Sequence, residues 1–300
     1  MDLFKESEDV VIFRVNKEDL NLEEFLFNMD VSGRLFRKLY KEKNIFVNGK
    51  FRRKGLTLNA GDLVSICMGK EQENITPDPI PINIIYEDFD LLILNKQSNI
   101  VVHPTKSHQH NTLSNGISYY FKEKGIDKKI RFVNRLDMDT TGILIVAKNP
   151  FSHQQMALQF EANEVEKRYL AIVSGVVEKD EDLIDLPIGR EEDKSIRKVV
   201  TEEGQKALTK YKVIERYRNA TLVDVQIFTG RSHQIRVHLH HIGHPIIGDT
   251  LYNEESPYIK RQALHSHYLN VRHPRTKEEI EFKAPLPKDM EELIGILSKE

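Results

Sequence analysis

The sequence predicts an α+β protein in two parts: a small α/β module, then a larger domain built on a mixed, largely antiparallel sheet. Three observations predict it. Short apolar runs rich in β-branched residues recur between turn signals, while helical periodicity is confined to a few segments. Residues 71–83 place Pro77, Pro79 and Pro81 at alternate positions, and proline removes a backbone donor and holds the chain extended. This stiff linker separates residues 1–70 from residues 84–300. Finally, 300 residues suffice for one large and one small core.

The elements follow in order. Val11-Ile12-Phe13-Arg14-Val15 reads as a strand. Asn21, with Glu24 three residues on, has the capping-box spacing of a helix start. Ser32 is placed to cap a second helix whose apolar side is Leu35, Phe36 and Leu39. Ile45-Phe46-Val47 runs into Asn48-Gly49, a hairpin turn signal, and Gly61-Asp62 turns into the strand Leu63–Ile66. Beyond the linker, strands are expected at 91–95, 100–102, 143–147, 165–173 and 222–228, and helices at 112–121 and 151–162. Residues 178–205 are charged and turn-rich, which reads as hairpins. Ser232 is expected to cap a helix with Ile235, Leu239 and Ile242 on one face and Gly243 ending it.

Composition narrows the function. Net charge is −2, so any surface for a polyanion must be local. Residues 31–54 supply one: nine Lys/Arg, among them Arg34, Arg37, Lys38, Arg52, Arg53 and Lys54, against the single acid Glu42. Such one-sidedness favours a phosphate-backbone contact surface. The lone Cys67 excludes an intrachain disulfide and a cysteine-built zinc site. Residues 1–10 are polar and acidic rather than signal-like, and no apolar run approaches membrane-spanning length. A cytoplasmic protein without membrane contact is expected. No coiled-coil pattern is present, so a monomer is expected. The sequence has no Gly-rich phosphate loop, no His-Glu-x-x-His and no Gly-x-Ser-x-Gly. His240 and His244 are four apart, but the helix is expected to end between them and no carboxylate joins their face. No metal is expected.

The chemistry-bearing stretch is Arg131–Gly142, followed by the buried-strand pattern Ile143-Leu144-Ile145-Val146-Ala147. It offers a long cation, a carboxylate and hydroxyls at the edge of a sheet, with Gly142 suited to a tight entry into the strand.

Two resemblances join these observations. Residues 11–70 resemble the S4 RNA-binding domain through Ser32-Gly33-Arg34, Phe46-Val47-Asn48-Gly49, Lys54 and Gly61-Asp62. Asn134–Gly142 resembles the active-site motif of the RluA-type pseudouridine synthases. Gly230–Leu239 and Ile242–Asp249 resemble that family's second signature, Val165–Tyr169 its tyrosine-bearing strand, and Leu264–Leu269 with His273-Pro274 its closing strand and turn. The motifs run in the family's order.

The resemblance implies a catalytic domain of the pseudouridine synthase type. The implied reaction converts a uridine in structured RNA, ribosomal or transfer RNA, to pseudouridine. The bond from ribose to uracil N1 breaks, the base turns, and C5 joins the ribose. No metal, nucleotide or redox cofactor is implied. Asp137 is implied as the nucleophile or acid–base residue: it attacks ribose C1′ or the uracil ring, or abstracts a ribose proton. Arg231 is expected to pair with Asp137, favouring its ionised form. Tyr169 is expected to stack on the uracil and to take the C5 proton. Arg135 is expected to fill the gap left by the flipped-out uridine. The sequence departs from the family pattern at Asn134, where His is common, and at Lys96-Gln97-Ser98-Asn99, in place of Lys-Pro followed by Gly. The first is expected to affect the neighbours of the flipped nucleotide, the second a loop near the substrate. Asp139 is expected to face solvent. A chain of this type lacking Asp137, Tyr169 or Arg231 would be a non-catalytic RNA-binding or ribosome-assembly factor; all three are present. An RNA nucleosidase that cuts the same bond would call for two carboxylates, and the motifs supply one.

Overall fold

The computed structural model describes residues 2–16, 19–104, 109–192 and 195–299. Residues 193 and 194, inside the stretch read as hairpins, lie outside the described residues.

The amino-terminal part consists of β1 (Val10–Arg14), α1 (Leu22–Asn28), α2 (Gly33–Lys41), β2 (Ile45–Val47), β3 (Lys50–Phe51) and β4 (Leu63–Cys67). Its strands pair antiparallel in the order β1-β4-β2-β3. The local signals act as their chemistry requires. Asn21 accepts the Glu24 amide while Glu24 reaches back to the Asn21 amide, and Ser32 accepts the Leu35 amide. Asn48 and Gly49 both take positive φ in the turn between β2 and β3. Leu22, Leu26, Phe36 and Leu39 pack on Ile45, Val64 and Ile66. The opposite surface is basic. Arg34, Arg37 and Lys38 on α2 and Arg52, Arg53 and Lys54 beyond β3 are exposed. Tyr40 joins the two groups, its ring 5.4 Å from that of Phe51 and its hydroxyl accepting the Lys54 amide at 3.3 Å. Among the described residues, only Lys54 of these six has an acidic partner, Glu23 at 3.5 Å.

The larger part continues with β5 (Ile84–Glu87), β6 (Leu91–Lys96), α3 (Leu113–Lys124), β7 (Arg131–Phe132), β8 (Thr141–Ala147) and α4 (Pro150–Glu161). Then come β9 (Glu166–Ser174), β10 (Glu181–Asp185), β11 (Ile188–Arg190), β12 (Lys198–Val200), β13 (Leu208–Arg216), β14 (Ala220–Ile227) and α5 (Gln234–His241). The chain closes with β15 (Leu264–Arg272), β16 (Glu279–Lys283) and α6 (Lys288–Leu297). The main sheet runs β10-β13-β14-β9-β15-β8-β6-β5, with β16 on β15 and β7 on β8, while β11 and β12 form a separate hairpin. Its pairings are antiparallel apart from β15 with β8. The α+β expectation holds. Leu91–Leu94 of β6 and Ile143–Ala147 of β8 form unbroken apolar runs because both faces are covered. Leu92, Leu94, Leu144 and Val146 point into the core shared with α3, α5 and α6, whereas Leu91, Ile93, Ile143 and Ile145 point into the core that holds Met156 of α4.

Three expectations change. Residues 100–102 are not a strand; the carbonyls of Val101 and Val102 instead receive the Leu113 and Ser114 amides at the start of α3. The α5 cap is His233, one residue beyond Ser232. The proline-rich stretch is extended but not free. Asn115 donates to Thr76 O at 2.8 Å, Ser118 to Ile75 O at 2.7 Å, and a Cβ on Gly116 would lie 2.9 Å from Ile80 O.

The two parts are fastened together. Arg275, 6% exposed at its side chain, donates to Val10 O and Ser7 O while gripping Asp90. Lys148 pairs with Glu8 and Glu87, and Lys128 with Asp9. Gln154 and Gln155 of α4 donate to Asp30 O, and Phe151 sits in the amino-terminal core beside Phe13.

Candidate active site

Strand register assembles the site. Gly142 of β8 pairs with Ser266 of β15, and Ser266 pairs with Tyr169 of β9. A Cβ on Gly142 would meet Ser266 O at 2.1 Å, so only glycine, here at φ +108°, lets the two strands approach. Asp137 lies in the loop that enters β8, and α5 crosses beside it.

The partner of Asp137 is Arg236, not Arg231. Arg236 Nη1 donates to Asp137 Oδ2 at 2.9 Å, while its Nε and Nη2 grip Asp249 at 2.7 Å each. Burial opposes the charge of Arg236, but Asp249 and Asp137 overcome it and hold the guanidinium firmly protonated. Arg231 is exposed and turned away, donating to Lys206 O and Gln205 Oε1 at 3.0 Å each. The reason is helical phase: Arg231 precedes α5, whereas Arg236 lies in its first turn and faces inward. That turn carries no acid, and a cation at a helix start opposes the helix dipole. A carboxylate elsewhere must compensate it, and that was the available sequence signal.

Two buried cations hold the loop. Lys96, 1% exposed, donates to Gln97 O at 2.9 Å, Met138 O at 2.6 Å and Thr140 O at 3.0 Å. Burial pulls Lys96 down to about 8, against the attraction of Asp139 and Asp137. Arg261 donates to Asp139 O at 3.2 Å and is itself gripped by Asp289. Three successive loop carbonyls are thereby fixed around Asp137. Lys96 was read only as part of a motif; its lone charge at the end of the buried run Leu91–Leu94 was the signal to weigh.

The remaining site residues divide. Tyr169 is 7% exposed, and burial, with Asp137 reinforcing it, pushes the phenol up to about 12. With its pKa raised in this way, Tyr169 is a neutral phenol in the free protein. Arg135 is exposed at the loop surface. Asn134 turns to β8: its Oδ1 accepts the Ile145 amide at 2.8 Å and its Nδ2 donates to Ile143 O at 3.2 Å. Asp139 is half-buried and accepts the Asn99 amide at 3.1 Å, rather than facing solvent freely. Asn99 itself has φ +56°, so it meets the backbone demand that the family meets with glycine. The basic residues from Arg34 to Lys54 lie on the amino-terminal sheet module and make no contact with Asp137.

Known proteins resolve what this arrangement is. Residues 90–241 match the RNA pseudouridylate synthase family. The chain belongs to that family. It is 38% identical over 278 residues to the uncharacterized RNA pseudouridine synthase YjbO of Bacillus subtilis, covering 92% of this chain and 98% of that one. It is 36% identical over 277 residues to the ribosomal large subunit pseudouridine synthase D of Haemophilus ducreyi, covering 87% and 84%. The solved human RNA pseudouridylate synthase domain containing 4 shares 25% identity at a TM-score of 0.61, covering 72% of this chain and 93% of that one. The activity of an RNA pseudouridylate synthase is isomerisation of uridine in RNA to pseudouridine, and the α+β fold of this chain, with its mixed and mostly antiparallel sheet, is that of the solved pseudouridylate synthases.

Proposed function

We propose that this protein isomerises one or more uridines of ribosomal RNA, with Asp137 as the catalytic carboxylate. The observation that carries the residue assignment is the Arg236–Asp137 pair, formed on a loop whose carbonyls are clamped by buried cations and near enough to Tyr169 for the charge of Asp137 to raise its phenol. Asp137 is partly exposed, its side chain retaining 23% of its accessibility, so it is open to a flipped-out nucleotide. An ionised carboxylate serves as nucleophile or proton acceptor, and Arg236 keeps its charge at any working pH. Tyr169 supplies a neutral face for the uracil. Ribosomal RNA is favoured over transfer RNA by the ribosomal large subunit synthases among the relatives. Arg135 fills the vacated stack. Residues 1–70 act as an S4-type module whose exposed cations meet phosphate, and the protein works as a cytoplasmic monomer.

Pseudouridine mapping of total RNA from cells with and without the gene tests this reading. The expected result is loss of one or a few ribosomal sites, restored by the wild-type gene and not by Asp137→Asn. Missing sites confined to transfer RNA would overturn the ribosomal assignment, and restoration by Asp137→Asn the catalytic one.

A further inference from the structure

Beside Asp137 stands a histidine whose backbone is strained. His233 caps α5 with φ 58° and ψ 18°, and its side chain makes no capping hydrogen bond. Outside Gly the left-handed region is sparsely occupied, Asn, Asp and His being its commonest visitors, so this conformation still costs free energy that the cap does not return. The ring is committed elsewhere. It stands edge-on to Tyr252, interplanar angle 86°, with Nδ1 3.0 Å from the Tyr252 hydroxyl.

The tautomer follows from donor and acceptor accounting. Tyr252 is 4% exposed, and its oxygen already accepts the Lys198 amide at 2.8 Å. Burial pushes this phenol up, so it keeps its proton. The arrangement that satisfies that proton is donation to His233 Nδ1, which leaves the proton of the neutral imidazole on Nε2. Nε2 is 3.9 Å from Asp137 Oδ2, the oxygen that Arg236 already holds. Catalytic contacts in free enzymes are often this long and tighten with substrate. Burial keeps His233 below its usual value, with Arg236 and Lys198 acting the same way and Asp137 and Asp249 opposing. At neutral pH it is an uncharged donor.

We propose that His233 is a positioning residue, locked as the Nε2–H tautomer by Tyr252 and the Lys198 amide, that holds the Oδ2 edge of Asp137 with Arg236 and leaves Oδ1 to react. The proposal rests on Asp137 being the catalytic carboxylate.

The test uses the full-length protein and total RNA from gene-deleted cells grown on uridine tritiated at C5, since joining C5 to ribose releases that hydrogen. Four variants are compared by single-turnover tritium release and by affinity for the same RNA. Asn tolerates the left-handed backbone, but its amide reaches only the position of Nδ1; the Gln amide reaches that of Nε2. Tyr252→Phe keeps the ring, 5.1 Å from the Arg236 guanidinium, and removes only the hydroxyl. His233→Asn and Tyr252→Phe should each slow release by about tenfold or more with affinity changed less than about twofold, and His233→Gln should recover most of the rate. A His233→Asn or Tyr252→Phe rate within about twofold of wild type, or His233→Gln as slow as His233→Asn, overturns the proposal. Asp137→Asn separates the two readings: turnover by that variant overturns the role of Asp137, whereas an inert Asp137→Asn beside a fast His233→Asn overturns the positioning role alone.

Discussion

The cations of the amino-terminal module and those of the catalytic loop are the same residue types in opposite situations. Arg34, Arg37, Lys38, Arg52 and Arg53 are exposed and have no acidic partner among the described residues. Lys96, Arg236 and Arg261 are 1%, 7% and 6% exposed, and their donors are occupied by carbonyls or carboxylates. Exposed charges on flexible stems attract phosphate from any direction and are screened by salt. Buried charges with several fixed acceptors barely attract a distant polyanion but hold a backbone rigidly in place. The first set should therefore govern affinity and the second the rate of the chemical step.

The largest break in that division is removal of the reacting group. Asp137→Asn should abolish turnover while RNA affinity stays within a few-fold of wild type, because affinity comes mainly from phosphate contacts. Tritium release and filter binding on the same RNA check it; near-normal release removes Asp137 from the mechanism.

Next in size is the pair that sequence and structure assign differently. Arg236→Ala should lower the single-turnover rate by on the order of 10²-fold. It should also destabilise the protein by about 3–5 kcal/mol, since Asp249 is left buried without its partner. Arg236→Lys should keep the charge, lose the two-pronged grip on Asp249 and still lose much of the rate. Arg231→Ala, removing an exposed side chain, should change the rate far less. An Arg231→Ala enzyme slower than Arg236→Lys would reverse the assignment.

Lys96 gives the comparison a pH signature. Its folded-state value is lowered to about 8 by burial, so it is charged below that pH and neutral above. A neutral amine has two N–H donors for three carbonyls, so the grip on the loop weakens as pH rises through about 8. The turnover rate should fall several-fold on that limb with affinity unchanged. Lys96→Gln should be slow throughout and lack the inflection.

The smallest effect on rate belongs to the exposed set. Changing Arg34, Arg37, Arg52 and Arg53 together to Gln should weaken binding and reduce the slope of log affinity against log salt by about 3, if each meets one phosphate of a single strand. The rate at saturating RNA should be unchanged. An unaltered salt slope would mean that this face does not meet RNA. Point substitutions suit this test better than deletion of residues 1–70. Deletion would uncover Phe151, leave Lys128 without Asp9 and Gly69 O, and take Glu8 from Lys148 and the Val10 and Ser7 carbonyls from Arg275.

The sequence by itself determined what depends on neighbours along the chain. The capping box at Asn21, the Ser32 cap, the turn at Asn48-Gly49 and the apolar runs of β6 and β8 required no distant partner to be recognised. The order of the motifs gave the family and pointed to Asp137 and Tyr169. Strand β13 and helix α6 went unread, because β13 mixes charges into a half-exposed strand and α6 has no side-chain cap. Tertiary structure alone decided which arginine meets Asp137. Arg231 and Arg236 share one signature, and the choice rests on the phase of α5 and on Asp249, 13 residues further on. It also decided that Asn134 serves β8, that Asp139 serves Asn99, and that the proline stretch lies along α3. Each is a polar group finding a partner across the fold, and a one-dimensional pattern carries no record of the register and helix phase that bring such partners within hydrogen-bonding distance.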